Sequence, residues 1–293
     1  MEETILKPWH GIGVEVDANL SSREMLYKAK LDWEVSKIPS QRPRSYGNQE
    51  TIRFFKGFFE AGEADIETIG GLDASRILWG LARLNEDFTL KGEDEVQGYV
   101  LLASRDEGRE KVEIQFLTVR KSCHNMLKIA SNAKPFVKNI FRRTFKPTFP
   151  FLNQKSQKFD EEMVQKASAI MNQGREAISV FVDDAQNLVN KKVEEPIAYM
   201  FDVFQPDTDV STIGENEWPE LADNKTRLAI EAFSKAPGQE LESSRNTAWG
   251  LLNAVTYIID HQLGSNQDSR LRQAWFGPNA KLKKRALDLA LEL

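Results

Sequence analysis

Val96-Gln97-Gly98-Tyr99-Val100-Leu101-Leu102-Ala103-Ser104 runs into Arg105-Asp106-Glu107-Gly108, and Lys111-Val112-Glu113-Ile114-Gln115-Phe116-Leu117-Thr118-Val119 follows. The unit alternates and carries a glycine-containing polar turn, which predicts an antiparallel hairpin. Upstream, Ser75–Leu84 has Ile77, Trp79, Leu81 and Leu84 at apolar positions, and Ile66–Thr68 is a shorter strand turning at Gly70-Gly71. The hairpin therefore extends into a small antiparallel sheet.

On either side of the sheet the apolar period changes from two to three or four. Asn48–Ala61 places Ile52, Phe55, Phe58 and Phe59 at helical spacing and stops at Gly62. Ser21-Ser22-Arg23-Glu24 has the form of a capping box opening a short helix through Met25, Leu26, Ala29 and Leu31. The first twenty residues read as an extended arm, and Ile38–Asn48 as a loop. Beyond Val119, Ser122–Ala133 is expected to be helical and to stop before Pro135. Asp160–Val193 is a long helix, with Gly174 a place for a bend and Pro196 closing it. Asp202–Pro219 reads as an acidic loop, and helices at Leu221–Phe233, Arg245–His261 and Ala280–Leu293 complete the chain. The expected fold class is α+β: a small antiparallel sheet with flanking helices first, then a mostly helical part. The corresponding division is 1–133 for the α+β domain and 134–293 for a helical region packed on it.

A chain of 293 residues with 41% apolar and 28% charged residues can bury an ordinary globular core. The single cysteine, Cys123, excludes an intramolecular disulfide and fits a reducing compartment. No apolar run reaches the roughly 18 residues that span a bilayer. Met1-Glu2-Glu3-Thr4 carries acid where a signal peptide carries base. The expected location is therefore the cytoplasm, and no membrane partner is expected.

The net charge of −5 is unevenly spread. Between Glu113 and Asp160 there are ten basic residues and no acidic one. Arg120, Lys121, Lys128, Lys138, Arg142, Arg143 and Lys146 are candidate phosphate contacts, and Phe141 and Phe145 candidate stacking platforms. Cations tracking a backbone, with aromatics stacking on unpaired bases, describe sequence-tolerant single-strand binding. The competing account makes the phenylalanines core and the cations a solvated face. A second basic cluster, Lys281, Lys283, Lys284 and Arg285, lies on an amphipathic terminal helix.

Trp249, Asn253, Thr256 and Asp260 share one face of the predicted helix Arg245–His261, and His261 ends it. Such a stripe is either an internal hydrogen-bond network or a binding face. No cofactor is expected: a GxxxxGK[ST] loop is absent, and Gly11-Ile12-Gly13 is too short for a dinucleotide fingerprint. Cys123-His124 has the wrong spacing for a zinc finger, and Asp202, Asp207 and Asp209 lack that of a calcium loop, so no metal is expected. No catalytic residue is assigned, and the balance is against an enzyme.

The segment Asn246–His261, then Phe276-Gly277 and Lys281–Leu287, together with Trp9-His10-Gly11-Ile12-Gly13 and Leu31-Asp32-Trp33, resembles the phage/plasmid-like protein family, a domain of unknown function. Many relatives carry a longer strand-rich insert where this chain has Ile38–Asn48. The resemblance implies phage or plasmid carriage and no chemistry. A sheet leading into a basic helix is also similar to the core of single-strand annealing recombinases, which oligomerise around single-stranded DNA. The functional expectation is a phage or plasmid nucleic-acid-binding protein, an oligomer acting on single-stranded DNA in recombination or replication. The alternative is a phage-encoded protein that modulates a host defence or replication factor.

Overall fold

A computed structural model describes residues 6–30, 48–74, 76–105, 112–129, 161–209 and 217–293. Its elements in chain order are β1 (Gly13–Glu15), α1 (Ser22–Lys28), α2 (Asn48–Ala61), β2 (Asp65–Leu72), β3 (Ile77–Leu90), β4 (Asp94–Arg105), β5 (Val112–Arg120) and β6 (Met126–Lys128). Then come α3 (Glu161–Asn190), α4 (Pro196–Phe204), α5 (Trp218–Leu221), α6 (Asn224–Lys235) and α7 (Ala248–Tyr257). A π-helical turn (Ile258–Gln262), α8 (Gln267–Phe276) and α9 (Pro278–Glu292) follow. The fold class is α+β, as the alternation and the change of period predict.

The sheet has six strands in the order β1-β2-β3-β4-β5-β6, every neighbour antiparallel. Side-chain alternation divides its residues between two cores. Leu78, Ala82, Val100, Leu102, Ile114 and Phe116 join a large cluster with α2, α3, α6, α7 and α9. Trp79, Leu81, Tyr99, Leu101, Leu117 and Val119 point the other way, onto Trp9 of the N-terminal arm and Leu271 and Trp275 of α8. Both faces are therefore buried.

Strand boundaries depart from the expectations for identifiable reasons. Gly70 and Gly71 do not turn the chain but lie inside β2, paired with Trp79 and Leu78. A side chain at Gly13 or Gly70 would overlap the Trp79 indole, so the glycines let two strand backbones approach that ring. The helix expected at Ser122–Ala133 is replaced, over its described residues, by a tight turn and β6. Arg120 N and His124 N bond to Asn125 O and Arg120 O across that turn, and His124 adopts φ 55°. Pairing of Met126–Lys128 with Leu117–Val119 prevails over the local helical spacing. Residues 130–133 lie outside the described ones.

The helical expectations fare better. The capping box at Ser21 forms: Glu24 N donates to Ser21 Oγ at 3.2 Å and Ser21 N donates to Glu24 Oε2 at 2.8 Å. In α3 the periodic residues are buried, except for half-buried Val182. Pro196 opens α4 rather than merely closing α3, which suits a residue without a donor N–H at the first helical position. Of the expected acidic loop, Asp202–Phe204 belong to the end of α4 and Trp218-Pro219 to the start of α5. The sequence reading missed α8, whose first turn is capped by Asn266 Oδ1 accepting from Ser269 N at 2.8 Å.

Gly174 is the contact point between α3 and β5. An added Cβ would fall inside the fully buried Phe116 ring. Gly174→Ala is expected to lower stability by about 1–3 kcal/mol through overpacking, against a helix-propensity gain of roughly 1 kcal/mol. Chemical denaturation measures the balance, and a more stable variant would refute this reading of the contact.

Candidate functional site

Asp94 begins β4 and Arg120 ends β5. In the register Arg120 lies opposite Val96, so Asp94 is its diagonal neighbour. Arg120 Nε donates to Asp94 Oδ1 and Oδ2 at 2.8 and 3.0 Å. The carboxylate also accepts from Ser243 Oγ at 2.7 Å and from Trp249 Nε1 at 2.9 Å. Arg120 Nη2 donates to Gly238 O and Ser244 Oγ, both at 2.8 Å. Both charged residues are at most 2% exposed. The ion pair thus fastens the β3–β4 turn and the end of β5 to the segment 238–249. Gly92 in that turn sits against the backbone of Glu242, where a Cβ would come within 3.0 Å of its nitrogen.

From Trp249 the polar stripe continues along α7 towards the β5–β6 turn. Asn253 Nδ2 donates to Trp249 O at 2.8 Å, and Asn253 O accepts from Thr256 Oγ1 at 3.1 Å and from Asn125 Nδ2 at 3.0 Å. The π-helical turn then widens the helix, with Leu263 N donating to Ile258 O. Asp260 accepts from Met126 N at 2.7 Å and pairs with Lys283 of α9, whose Nζ also donates to Met126 O at 2.7 Å. His261 Nε2 donates to Cys123 O at 2.9 Å, and its ring stacks on Tyr257 at 4.9 Å. All five stripe residues therefore converge with Asn125, Met126 and Cys123 on one edge of the sheet, and four of them are at most 4% exposed.

Burial dominates the electrostatics of this seam. It pushes the Cys123 thiol up despite the adjacent Arg120, which favours thiolate. It holds His124 and His261 below the ordinary histidine range, the second against the opposing pull of Asp260. It lowers the Lys283 ammonium, which Asp260 raises again. Burial thus works against thiolate formation at Cys123, the opposite of what activates a nucleophilic cysteine.

The basic tract is only partly described. Arg120 does not serve as a surface phosphate contact, because its guanidinium is buried and bonded to Asp94, Gly238 and Ser244. Lys121 is exposed beside Glu95 at 2.8 Å, and Lys128 lies 3.5 Å from Glu113. Lys138, Phe141, Arg142, Arg143, Phe145 and Lys146 lie outside the described residues. In the second basic cluster Lys281, Lys284 and Arg285 are exposed, whereas Lys283 is internal. Among the described residues no three His, Cys, Asp or Glu side chains are placed to hold a metal. No described helix is long and apolar enough to cross a membrane.

Asp94, Ser243 and Asn125 complete the seam and were not singled out by the sequence, and Lys283 was singled out only as part of a basic surface cluster. The one available signal was the diagonal pairing of Asp94 with Arg120, which needs the strand register rather than composition.

An α+β scaffold with a buried polar joint between sheet edge and helical half is the class of structure defined by these contacts. The family model described as Domain of unknown function (DUF932) matches residues 38–149 and 155–275, and the chain belongs to that family. The match takes in Asp94, Arg120 and the whole stripe and ends before α9. No curated protein and no solved structure matches the chain significantly.

Proposed function

We propose that the protein is a nucleic-acid-binding protein of phage or plasmid origin that holds single-stranded DNA, with residues 121–158 supplying the phosphate contacts. The observation that carries this reading is the charge distribution: an acidic chain of net charge −5 contains 46 consecutive residues with ten cations and no carboxylate. Arg120 is subtracted from those ten because it is spent inside the fold. The remaining nine are interleaved with phenylalanines, which stack on bases without regard to sequence. Phosphate neutralisation releases counterions, so such binding weakens with salt.

Fluorescence anisotropy with labelled single-stranded and double-stranded DNA, at low and physiological salt, tests it. Single strands are expected to bind more tightly and to be released as salt rises. Reversing two phosphate contacts with Arg142→Glu and Arg143→Glu should flatten the slope of log affinity against log salt by about 1.4. Absence of binding to either DNA at low salt overturns the proposal.

A further inference from the structure

We propose that the polar stripe encloses a binding site for one water molecule, held between Arg120 Nη1 and Asn125 Oδ1. A cavity of about 10 Å³ lies between the sheet and α7, lined by polar Thr118, Arg120, Asn125, Asn253 and Thr256 and also by apolar side chains that include Leu127 and Leu252. That is about the room one water needs. Two buried polar atoms on its lining residues lack a hydrogen-bond partner within the protein: Arg120 Nη1, a donor, and Asn125 Oδ1, an acceptor.

The orientation of both groups is fixed by their other bonds. Arg120 Nε and Nη2 are committed to Asp94, Gly238 and Ser244, leaving Nη1 with only the Cys123 thiol, a weak acceptor, beside the guanidinium. Asn125 Nδ2 donates to Asn253 O, so exchanging the amide nitrogen and oxygen would set two carbonyl oxygens against each other. Thr256 spends its hydroxyl hydrogen on Asn253 O and keeps lone pairs to offer. The occupant must accept from a cation and donate to a carbonyl. A halide meets the first demand and is repelled by Asn125 Oδ1; a metal ion meets the second and is repelled by Arg120. Water meets both, with Thr256 Oγ1 as an acceptor for its second hydrogen. It would continue the ladder from Asp94 to the β5–β6 turn, making the stripe a hydrated joint rather than a docking face.

A high-resolution crystal structure of the full chain tests this directly. The expected result is one density peak within hydrogen-bond distance of both Arg120 Nη1 and Asn125 Oδ1. A dry cavity with Nη1 turned to Cys123 Sγ overturns the proposal. So does an anomalous peak in the cavity after bromide soaking, which would identify a halide. In crystals of Asn125→Leu, which keeps the bulk and removes the acceptor, the peak should vanish while Arg120 keeps its bonds to Asp94.

Discussion

Asp94→Ala is expected to cost about 3–5 kcal/mol of stability, the range for removing one partner of a buried ion pair. The carboxylate is the common acceptor for Arg120, Ser243 Oγ and Trp249 Nε1. Its loss leaves a guanidinium that is 2% exposed without a counter-charge, and two further buried donors without acceptors. Urea denaturation of both proteins measures the difference. The cause is separable from simple loss of packing: Asp94→Leu combined with Arg120→Met removes both charges and should recover much of the deficit. A single-variant loss below about 1 kcal/mol, the size of a surface pair, would mean that the pair is hydrated and carries little.

Lys283→Met should destabilise by a similar amount, about 3–5 kcal/mol, for a different geometric reason. Methionine keeps the length of the stem, so the change isolates the ammonium. That group serves Asp260 and Met126 O together, while Asp260 also accepts from Met126 N. Removing it strands a carboxylate that is 2% exposed and frees α9 from the edge strand β6. Urea denaturation of both proteins measures the difference, and a loss below about 1 kcal/mol would mean that the pair is hydrated and carries little.

Much of the fold was legible in the sequence. Alternation located β4 and β5 to within two residues, and the apolar spacing of Met163 to Val189 located α3. The failures are places where distant contacts override local pattern. Gly70-Gly71 resembles a turn until the Trp79 ring is laid over it, and Met126–Lys128 resembles a helix start until Leu117–Val119 is beside it. The seam was half legible. Helical spacing grouped Trp249, Asn253, Thr256 and Asp260, and all four lie in the buried seam. Charge misplaced Arg120 and Lys283 as surface cations, because a basic side chain looks alike in sequence whether water or a carboxylate 23 or 26 residues away satisfies it.

The unbroken order of the strands bears on how the chain assembles as it emerges from the ribosome. From β2 to β6 each strand finds its neighbour in the adjacent stretch of sequence, so that part of the sheet can zip up hairpin by hairpin, whereas β1 joins it across a long connection that holds α1 and α2. Its two apolar faces are covered early only in part, by α2 on one side and Trp9 on the other; the rest waits for Phe181 and Trp249 on the first face and for Trp275 on the second. During synthesis the paired sheet therefore keeps part of both faces uncovered until the last helices arrive.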